Sequence, residues 1–216
     1  KFENLVVRSK LLKLLNINLD IFIRTLFVTF AFLWVTYLGS KIGEDYLAVN
    51  TILMQFIILA AFFLDAYAFS TEGVVGFTIG RKIKNSFLSV VKNSIQISFI
   101  TALILSLVYI IFFKQIINII TDIELLRFIS YKHFLWVIII PPIASFCYQL
   151  DGIFIGASQT KEIRNAMIFS VTSFIIISIY LTKFFGNHGL WFSLTCFMVF
   201  RSLTLKFYFN KILRKF

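Results

Sequence analysis

Residues 134–156 read FLWVIIIPPIASFCYQLDGIFIG and form a nearly unbroken apolar run. About 20 apolar residues suffice for a helix to cross the hydrocarbon core of a bilayer, so this run predicts a transmembrane helix. Its one charged residue is Asp151. A carboxylate at membrane depth is costly, and such groups face the protein interior or a water-filled path. The run therefore predicts a membrane fold and, within it, a candidate ion or solute site.

The composition of the whole chain points the same way. Of its 216 residues, 59% are hydrophobic and 14% are charged, and the mean hydropathy is +0.91. Soluble domains carry about 25% charged residues, so this composition excludes the soluble globular class. The net charge of +11 comes from basic residues that lie between the apolar runs. We therefore expect the lipid bilayer as the surroundings of the chain and no nucleic-acid partner.

The other apolar runs predict five further spans on either side of residues 134–156. Continuous apolar runs lack the alternation of a lipid-facing barrel, so we expect no strands. The expected fold class is all-α, a polytopic membrane protein with six transmembrane helices. Residues 186–189, GNHG, predict a tight turn between spans five and six. The predicted spans are about 19–38, 46–69, 90–113, 134–156, 166–181 and 190–209.

The basic residues of the connecting segments predict the orientation in the membrane. The two terminal segments and two of the loops together hold fifteen Lys and Arg residues, with Arg201 counted in the C-terminal segment, whereas the loops on the other side hold five. Short loops rich in Lys and Arg stay in the cytoplasm. Both ends of this chain are therefore expected on the cytoplasmic side, as an even number of spans requires.

A second carboxylate, Asp65, lies near the middle of the second run, which is unusually long. Two acids at membrane depth suggest a pathway for an ion or a cationic solute. Each acid also has a structural interpretation: Asp151 could accept bonds from nearby backbone or hydroxyl groups, and Asp65 could pair with a basic residue or tyrosine of another helix. Arg24, in the first span, is expected to extend to the interface. An ion pair to Asp65 or Asp151 is its alternative, and Asp20, one turn earlier, is a competing partner.

Uncharged polar residues inside the spans are further candidates for a solute pathway. Asn50, Tyr148 and Gln149 could line a cavity, or they could serve only as hydrogen bonds between helices. Pro141 and Pro142 remove two backbone donors, which predicts a kink or break in the fourth helix. Carbonyl groups freed at membrane depth need protein or water beside them. A kink next to an acid suits a transporter that opens alternately to the two sides.

Glycines in the second and fourth spans predict close helix packing, because small residues allow two backbones to approach. They are Gly73, Gly76, Gly80, Gly152 and Gly156. The His and Cys residues are not grouped at the spacing of metal ligands, and no clustered catalytic constellation is present. We therefore expect no metal, no cofactor and no enzymatic activity.

Several motifs, in order along the chain, resemble the C-terminal half of multidrug and toxic compound extrusion (MATE) transporters of the DNA-damage-inducible (DinF) branch. They are similar to parts of the seventh, eighth and tenth helices, the loop after the tenth, the last outer turn and the last helix of that family. The motifs are NLDIFIRT (18–25), LDAYA (64–68), EGVVG (72–76), QLDGIFIGA (149–157), RNAM (164–167), GNHGLW (186–191) and RSLTL (201–205).

The resemblance implies the C-terminal six-helix lobe of a twelve-helix transporter in the bacterial inner membrane. An N-terminal six-helix lobe would be its partner, with residues 1–18 as an amphipathic linker between the lobes and residues 19–216 as this lobe. The implied activity is secondary antiport, which exports organic cations or drugs, or other small amphipathic solutes, in exchange for protons or sodium. Asp151 falls at the acidic position of the tenth helix that helps to bind the cation in sodium-type members. Those members also use an acid on the seventh helix, where this chain offers Arg24, which favours protons. For this branch the resemblance implies that the main protonated acid lies on the first helix, outside this chain.

The alternative function is a flippase for a lipid-linked precursor, from the same superfamily. Such flippases usually need a cationic cavity for pyrophosphate, so the sign of the charge in the cavity separates the two functions. Asp65 and Asp151 favour a cationic solute, whereas Arg24 leaves the alternative open.

Overall fold

The computed structural model describes residues 8–216, without the side chains of residues 8–10 and 13. All regular structure in that range is helical, and five helices are long and apolar enough to cross a bilayer. The prediction of an all-α membrane fold is therefore confirmed. The helices are α1 (Arg8–Ile42), α2 (Glu44–Gly80), α3 (Lys84–Ile120), α4 (Glu124–Gly156) and α5 (Thr160–Leu213).

The predicted boundary between a linker and a lobe is not visible as a break in the chain. Helix α1 runs without interruption past residue 18. Residues 1–7, the first part of the predicted linker, lie outside the described residues. The division at 18/19 therefore stays a prediction.

Residues 8–216 form five helical elements and not the predicted six, because the last two predicted spans meet within α5 at a turn of one residue, Gly186. At Gly186 the backbone leaves helical geometry, with φ 55 and ψ −135, a combination that suits glycine because it has no Cβ atom. Beyond this turn the chain folds back on itself, and the rings of Phe174 and Phe197 lie 5.8 Å apart. The two arms of α5, residues 160–185 and 187–213, correspond to predicted spans five and six.

Helix α4 is the most buried of the helices. It packs against α2, α3 and α5, whereas α1 packs against α5 and α2. Gly152 and Gly156 bring α4 into backbone contact with α2. A Cβ atom at Gly152 would overlap the carbonyl group of Ala68, and one at Gly156 would overlap that of Glu72. Small residues at a helix crossing permit this close approach.

The three glycines of α2 differ in their surroundings. A Cβ atom on Gly76 would lie 3.5 Å from the carbonyl oxygen of Gly156, so Gly76 belongs to the seam between α2 and α4. Gly73 and Gly80 have no atom within 4 Å of the position of a Cβ atom. The expectation that these two glycines pack against another helix is therefore not met within this lobe, because they face open space.

The proline pair does not break α4, which continues from Glu124 to Gly156. Pro142 has no N–H group to donate to the carbonyl oxygen of Ile138, four residues earlier. The hydroxyl of Ser106, on α3, donates to that oxygen instead, at 2.8 Å. The freed carbonyl is thus satisfied by a neighbouring helix, as membrane depth requires. A kink at Pro141 and Pro142 stays a prediction.

Candidate functional site

The hydrophobic core consists of two clusters, and charged side chains lie where they meet. On the second arm of α5, Met198 belongs to the larger cluster and Leu205 to the smaller one. Arg201 lies between them and is 2% exposed; Asp151, on α4, is 3% exposed. Charged groups this deeply buried among apolar side chains persist only when they are paired.

Asp151 is paired with two arginines from two other helices. Arg24 Nη2, on α1, donates to Asp151 Oδ2 at 2.5 Å. Arg201 Nη2 donates to the same oxygen. We refer to Arg24, Asp151 and Arg201 as the Asp151 triad. It joins α1, α4 and α5 by charge-assisted hydrogen bonds, which are stronger than neutral ones.

The triad still has unused hydrogen-bonding capacity. Asp151 Oδ1 and the Nε atoms of Arg24 and Arg201 are buried, and none of them has a hydrogen-bond partner among the described residues. Two guanidinium groups against one carboxylate leave one uncompensated positive charge inside the lobe. A buried charge without full compensation is costly, so this centre needs a further negative group nearby.

That negative group is Asp65, across a small cavity. The cavity has a volume of about 220 Å³ and is bordered by α1, α2, α4 and α5. Its polar lining includes Arg24, Asp65, Tyr148 and Arg201, so both predicted acids lie at one centre, one beside the cavity and one behind the arginines. Such a volume holds several water molecules, and polar lining favours their presence.

Asp65 itself is only partly buried, and none of the hydrogen bonds or ion pairs found among the described residues involves it. Tyr148, on α4, places its ring 5.6 Å from the guanidinium of Arg201, within the distance of a cation–π contact. Together with the triad, Asp65 makes a centre of two cations and two anions. We call Arg24, Asp65, Asp151 and Arg201 the four-charge centre.

A groove continues from this cavity along the seam between α1 and α2. A second cavity, of about 280 Å³, shares Phe32 and Ile58 with the first. Its lining includes exposed hydroxyl and amide side chains at helical spacing, namely Thr29, Thr36, Thr51 and Gln55. Polar side chains at membrane depth face protein or a water-filled cavity and not lipid. This seam is therefore a polar face of the lobe.

The expectation that Arg24 extends to the interface is wrong. Its guanidinium is held by Asp151, which was the alternative. Asp20, the competing partner, is engaged elsewhere: Arg164 Nη1 lies 2.5 Å from its Oδ1, and the hydroxyl of Thr160 donates to its Oδ2 at 2.9 Å. Asp20 is therefore a link between α1 and the start of α5.

Gln149 lies outside the cavity, although the sequence suggested a place in the pathway. It is fully buried and accepts a hydrogen bond from the hydroxyl of Thr71 at 3.0 Å. Because this bond joins α4 to α2, Gln149 serves helix packing in this structure. Its neighbour Tyr148, on the adjacent face of α4, does line the cavity.

Asn50 belongs to a separate buried cluster. Its Nδ2 donates to Asn187 Oδ1 at 2.7 Å, and its Oδ1 accepts from Asn187 Nδ2 at 2.9 Å and from Trp191 Nε1 at 2.8 Å. Asn50 also borders the second cavity, while its amide joins α2 to the second arm of α5. The pathway role of Asn50 therefore stays a prediction. We call Asn50, Asn187 and Trp191 the amide cluster.

Two features of the structure had no counterpart in the sequence-based prediction. Arg201 was counted with the C-terminal basic residues, although it falls within the predicted span 190–209; that position was the signal for burial. The rings of His133 and His188 stack at 4.2 Å, a pairing that no spacing along the chain could reveal. Among the described residues, no three His, Cys, Asp or Glu side chains converge as metal ligands.

Comparison with known proteins identifies the family. The sequence profile of the MatE family matches residues 21–182, more than half of the chain. The chain belongs to the MatE family. A curated relative from this family's DinF branch is the DNA damage-inducible protein F of Escherichia coli (strain K12), which is 34% identical over 198 residues. That match covers 92% of this chain and 43% of the relative.

A more distant relative and two solved structures are consistent with this MatE assignment. Protein DETOXIFICATION 43 of Arabidopsis thaliana is 23% identical over 181 residues, covering 84% of this chain and 34% of that protein. A mutant of the Vibrio cholerae MATE transporter VcmN superposes with a TM-score of 0.88, at 16% identity, over 99% of this chain and 49% of that one. An outward-facing multidrug resistance MATE transporter superposes with a TM-score of 0.83, at 15% identity, over 91% and 44% of the two chains.

The coverage of these matches shows how much of a full-length relative this MatE chain represents. It spans less than half the length of the curated relatives and solved transporters that it matches. MatE proteins are transporters with two lobes in the membrane, and this chain corresponds to one of them. It is a multi-pass membrane protein of a transporter family and not of an enzyme family.

Proposed function

We propose that this chain is the C-terminal lobe of a secondary antiporter that exports organic cations or drugs. In this proposal an N-terminal six-helix lobe completes the solute pathway, and the lobe lies in a bacterial inner membrane with both of its ends in the cytoplasm. The observation that carries the proposal is the four-charge centre beside a cavity at membrane depth. Groups of this kind mark ion and substrate pathways.

The polar seam between α1 and α2 supports the same function. Repeat-built carriers bind their substrates near the middle of the bilayer, between the two halves. The seam combines the exposed hydroxyl groups of Thr29, Thr36 and Thr51 with the aromatic ring of Phe32. A surface with scattered acceptors and apolar area suits amphipathic solutes, whose affinity comes from apolar contact and one charge.

Exchange for protons is proposed ahead of exchange for sodium. A sodium site needs several oxygen ligands, and Asp151 Oδ2, at the position of the family's cation-binding acid, is already held by Arg24 and Arg201. Helix α1 brings a cation to the site instead of a second acid. Proton transfer to a carboxylate beside a wet cavity requires no coordination shell.

The charges of this lobe do not favour the flippase alternative. A site for pyrophosphate needs an excess of positive charge, and in this lobe the two arginines of the centre are balanced by Asp65 and Asp151. The cavity therefore lacks the cationic excess that such a substrate would need.

The test uses the native protein that contains this chain, purified and reconstituted in proteoliposomes. Ethidium uptake is followed by fluorescence after a pH gradient or a sodium gradient is imposed, each gradient alone. We expect uptake driven by the pH gradient and abolished by a protonophore. Uptake driven only by sodium would replace the proton with sodium as the coupling ion, and no uptake under either gradient would refute the antiporter.

A further inference from the structure

We infer that Asp65, and not Asp151, is the carboxylate through which this lobe exchanges a proton for a cationic solute. The inference rests on the proposed antiport function and names the residue that performs the exchange. It differs from the role that the family resemblance implies for sodium-type members, in which the acid at the position of Asp151 helps to bind the cation.

Asp151 is occupied and inaccessible. Its Oδ2 accepts hydrogen bonds from both Arg24 and Arg201, and its side chain is 4% exposed. A cation could reach this carboxylate only by displacing two guanidinium groups. Displacing one partner of a buried ion pair costs about 3–5 kcal/mol, which is comparable to the whole binding energy of a weak ligand. Asp151 therefore positions the two arginines.

Asp65 has the opposite properties. It lines the cavity and is partly exposed to it. Its helix face continues toward the polar seam, because Ile58 and Phe62 lie two turns and one turn earlier and line the same cavity. Phe62, on α2, and Phe32, on α1, line the same cavity as Asp65. A cavity that combines a carboxylate with aromatic side chains is a suitable site for an organic cation.

The charges that face Asp65 make the exchange selective. Arg24 faces it from α1, Tyr148 and Asp151 from α4, and Arg201 from α5; no residue of α3 is among the cavity's described lining. With Asp65 ionised, the four-charge centre has a net charge of zero. With Asp65 protonated, the net charge is +1. The cavity therefore repels a cation when Asp65 holds a proton and admits it when Asp65 is ionised.

This arrangement makes proton and cation mutually exclusive ligands of one carboxylate. Binding of the cation releases the proton from Asp65, and binding of the proton releases the cation, which is the exchange that antiport requires. By linkage, each ligand lowers the affinity for the other by the same factor.

The first experiment uses the unaltered native protein, so that no variant has to fold. The protein is treated with dicyclohexylcarbodiimide, which modifies protonated carboxyl groups in apolar surroundings, and the modified peptides are identified by mass spectrometry. We expect modification of Asp65, protection of Asp65 by tetraphenylphosphonium, and no modification of Asp151. Absence of modification at Asp65, or modification that tetraphenylphosphonium does not reduce, would overturn the inference.

The second experiment measures the affinity for tetraphenylphosphonium between pH 5 and pH 8 by calorimetry. In the native protein we expect the affinity to weaken by about tenfold per pH unit below half-protonation of Asp65, since one proton is exchanged. Asp65→Asn should abolish this dependence, and Asp65→Glu should retain it. Asp45→Asn is the matched control, because it makes the same change at an exposed position of the same helix.

The two proposals fail in different ways. If the native protein shows no ethidium uptake under either the pH gradient or the sodium gradient, the antiporter proposal fails. If the native protein exchanges ethidium for protons and Asp65→Asn, monodisperse in size-exclusion chromatography, keeps the native pH dependence of tetraphenylphosphonium binding, only the inference about Asp65 fails.

Discussion

The lobe contains two buried polar regions, the amide cluster and the four-charge centre, and they are built in opposite ways. In the amide cluster, Asn50, Asn187 and Trp191 satisfy one another at 2.7 to 2.9 Å without any charge. In the four-charge centre, three buried atoms of the Asp151 triad have no partner among the described residues, and a cavity lies alongside.

This difference shows which buried polar residues point to function. A neutral network whose bonds are all made rigidifies a helix contact. A centre that combines unused donors and acceptors with a partly exposed charged group keeps the capacity to bind something else. Burial of polarity at membrane depth is common to both regions, so burial alone does not separate a structural residue such as Asn50 from a candidate site residue such as Asp65.

The contrast between the two regions predicts the largest loss of stability for a substitution of Arg201. Arg201→Met leaves Asp151 with one partner, and we expect the free energy of unfolding to fall by about 3–5 kcal/mol. The measurement is the denaturation midpoint of Arg201→Met in detergent, compared with that of the native protein. The double variant Asp151→Asn with Arg201→Met should recover part of the loss, because no buried carboxylate remains. Equal stability of Arg201→Met and the native protein would show that the triad is not a paired centre.

The seam between α4 and α2, which begins at Gly152 beside Asp151, gives the next effect. Gly152→Val would push side-chain atoms into the carbonyl group of Ala68, and overpacking of this kind costs about 1–3 kcal/mol or more. Gly73→Ala is the matched control on α2. It meets no atom within 4 Å and exchanges glycine for a better helix former, so thermal stability should be unchanged or slightly higher. A well-folded Gly152→Val with a native melting temperature would contradict the close contact.

A substitution in the amide cluster should change the stability of the protein but not its binding of a cation. Asn50→Leu removes the partners of Asn187 and of Trp191 Nε1, and buried unsatisfied groups cost about 1–3 kcal/mol. The pH dependence of tetraphenylphosphonium binding should stay as in the native protein, in contrast with Asp65→Asn. Thr51→Ala, one residue away and exposed, should leave stability unchanged. A lost pH dependence in Asn50→Leu would remove the distinction between the two regions.

The smallest effect concerns the proline pair. The carbonyl oxygen of Ile138 accepts a hydrogen bond from Ser106 because Pro142 has no N–H group to donate to it. Ser106→Ala removes this donor, and we expect the free energy of unfolding to fall by about 1 kcal/mol. Ser94→Ala is the control, since the hydroxyl of Ser94 bonds only within its own helix, to Val91. The difference between the two melting temperatures measures the contribution of the bond between α3 and α4. No difference would mean that water replaces the serine at this carbonyl group.

Much of the fold was readable from the sequence because hydrophobic length is a one-dimensional property. The apolar runs predicted an all-helical membrane chain, and the GNHG motif predicted the turn that the structure places at Gly186. The helices extend beyond the predicted spans because the flanking polar residues also take helical geometry. Length alone did not reveal that the turn between the last two spans needs only one non-helical residue, Gly186.

The site was predictable only in part, because pairing across helices depends on rotation about each helix axis. Both acids were candidates from their depth. The sequence could not show that two arginines hold Asp151, while no arginine of the described residues forms an ion pair with Asp65. Arg24 was assigned to the interface because a long side chain can reach it. Arg201 was grouped with the basic C-terminus, although its place inside an apolar run was a signal for burial.

The central claim is that Asp65 is the exchangeable acid and Asp151 the fixed one. Infrared difference spectroscopy of the native protein, with and without tetraphenylphosphonium, tests it most directly through the carbonyl band of a protonated carboxyl group. The account predicts that this band disappears when the cation binds and is absent from Asp65→Asn. A cation-sensitive band that persists in Asp65→Asn would contradict the account.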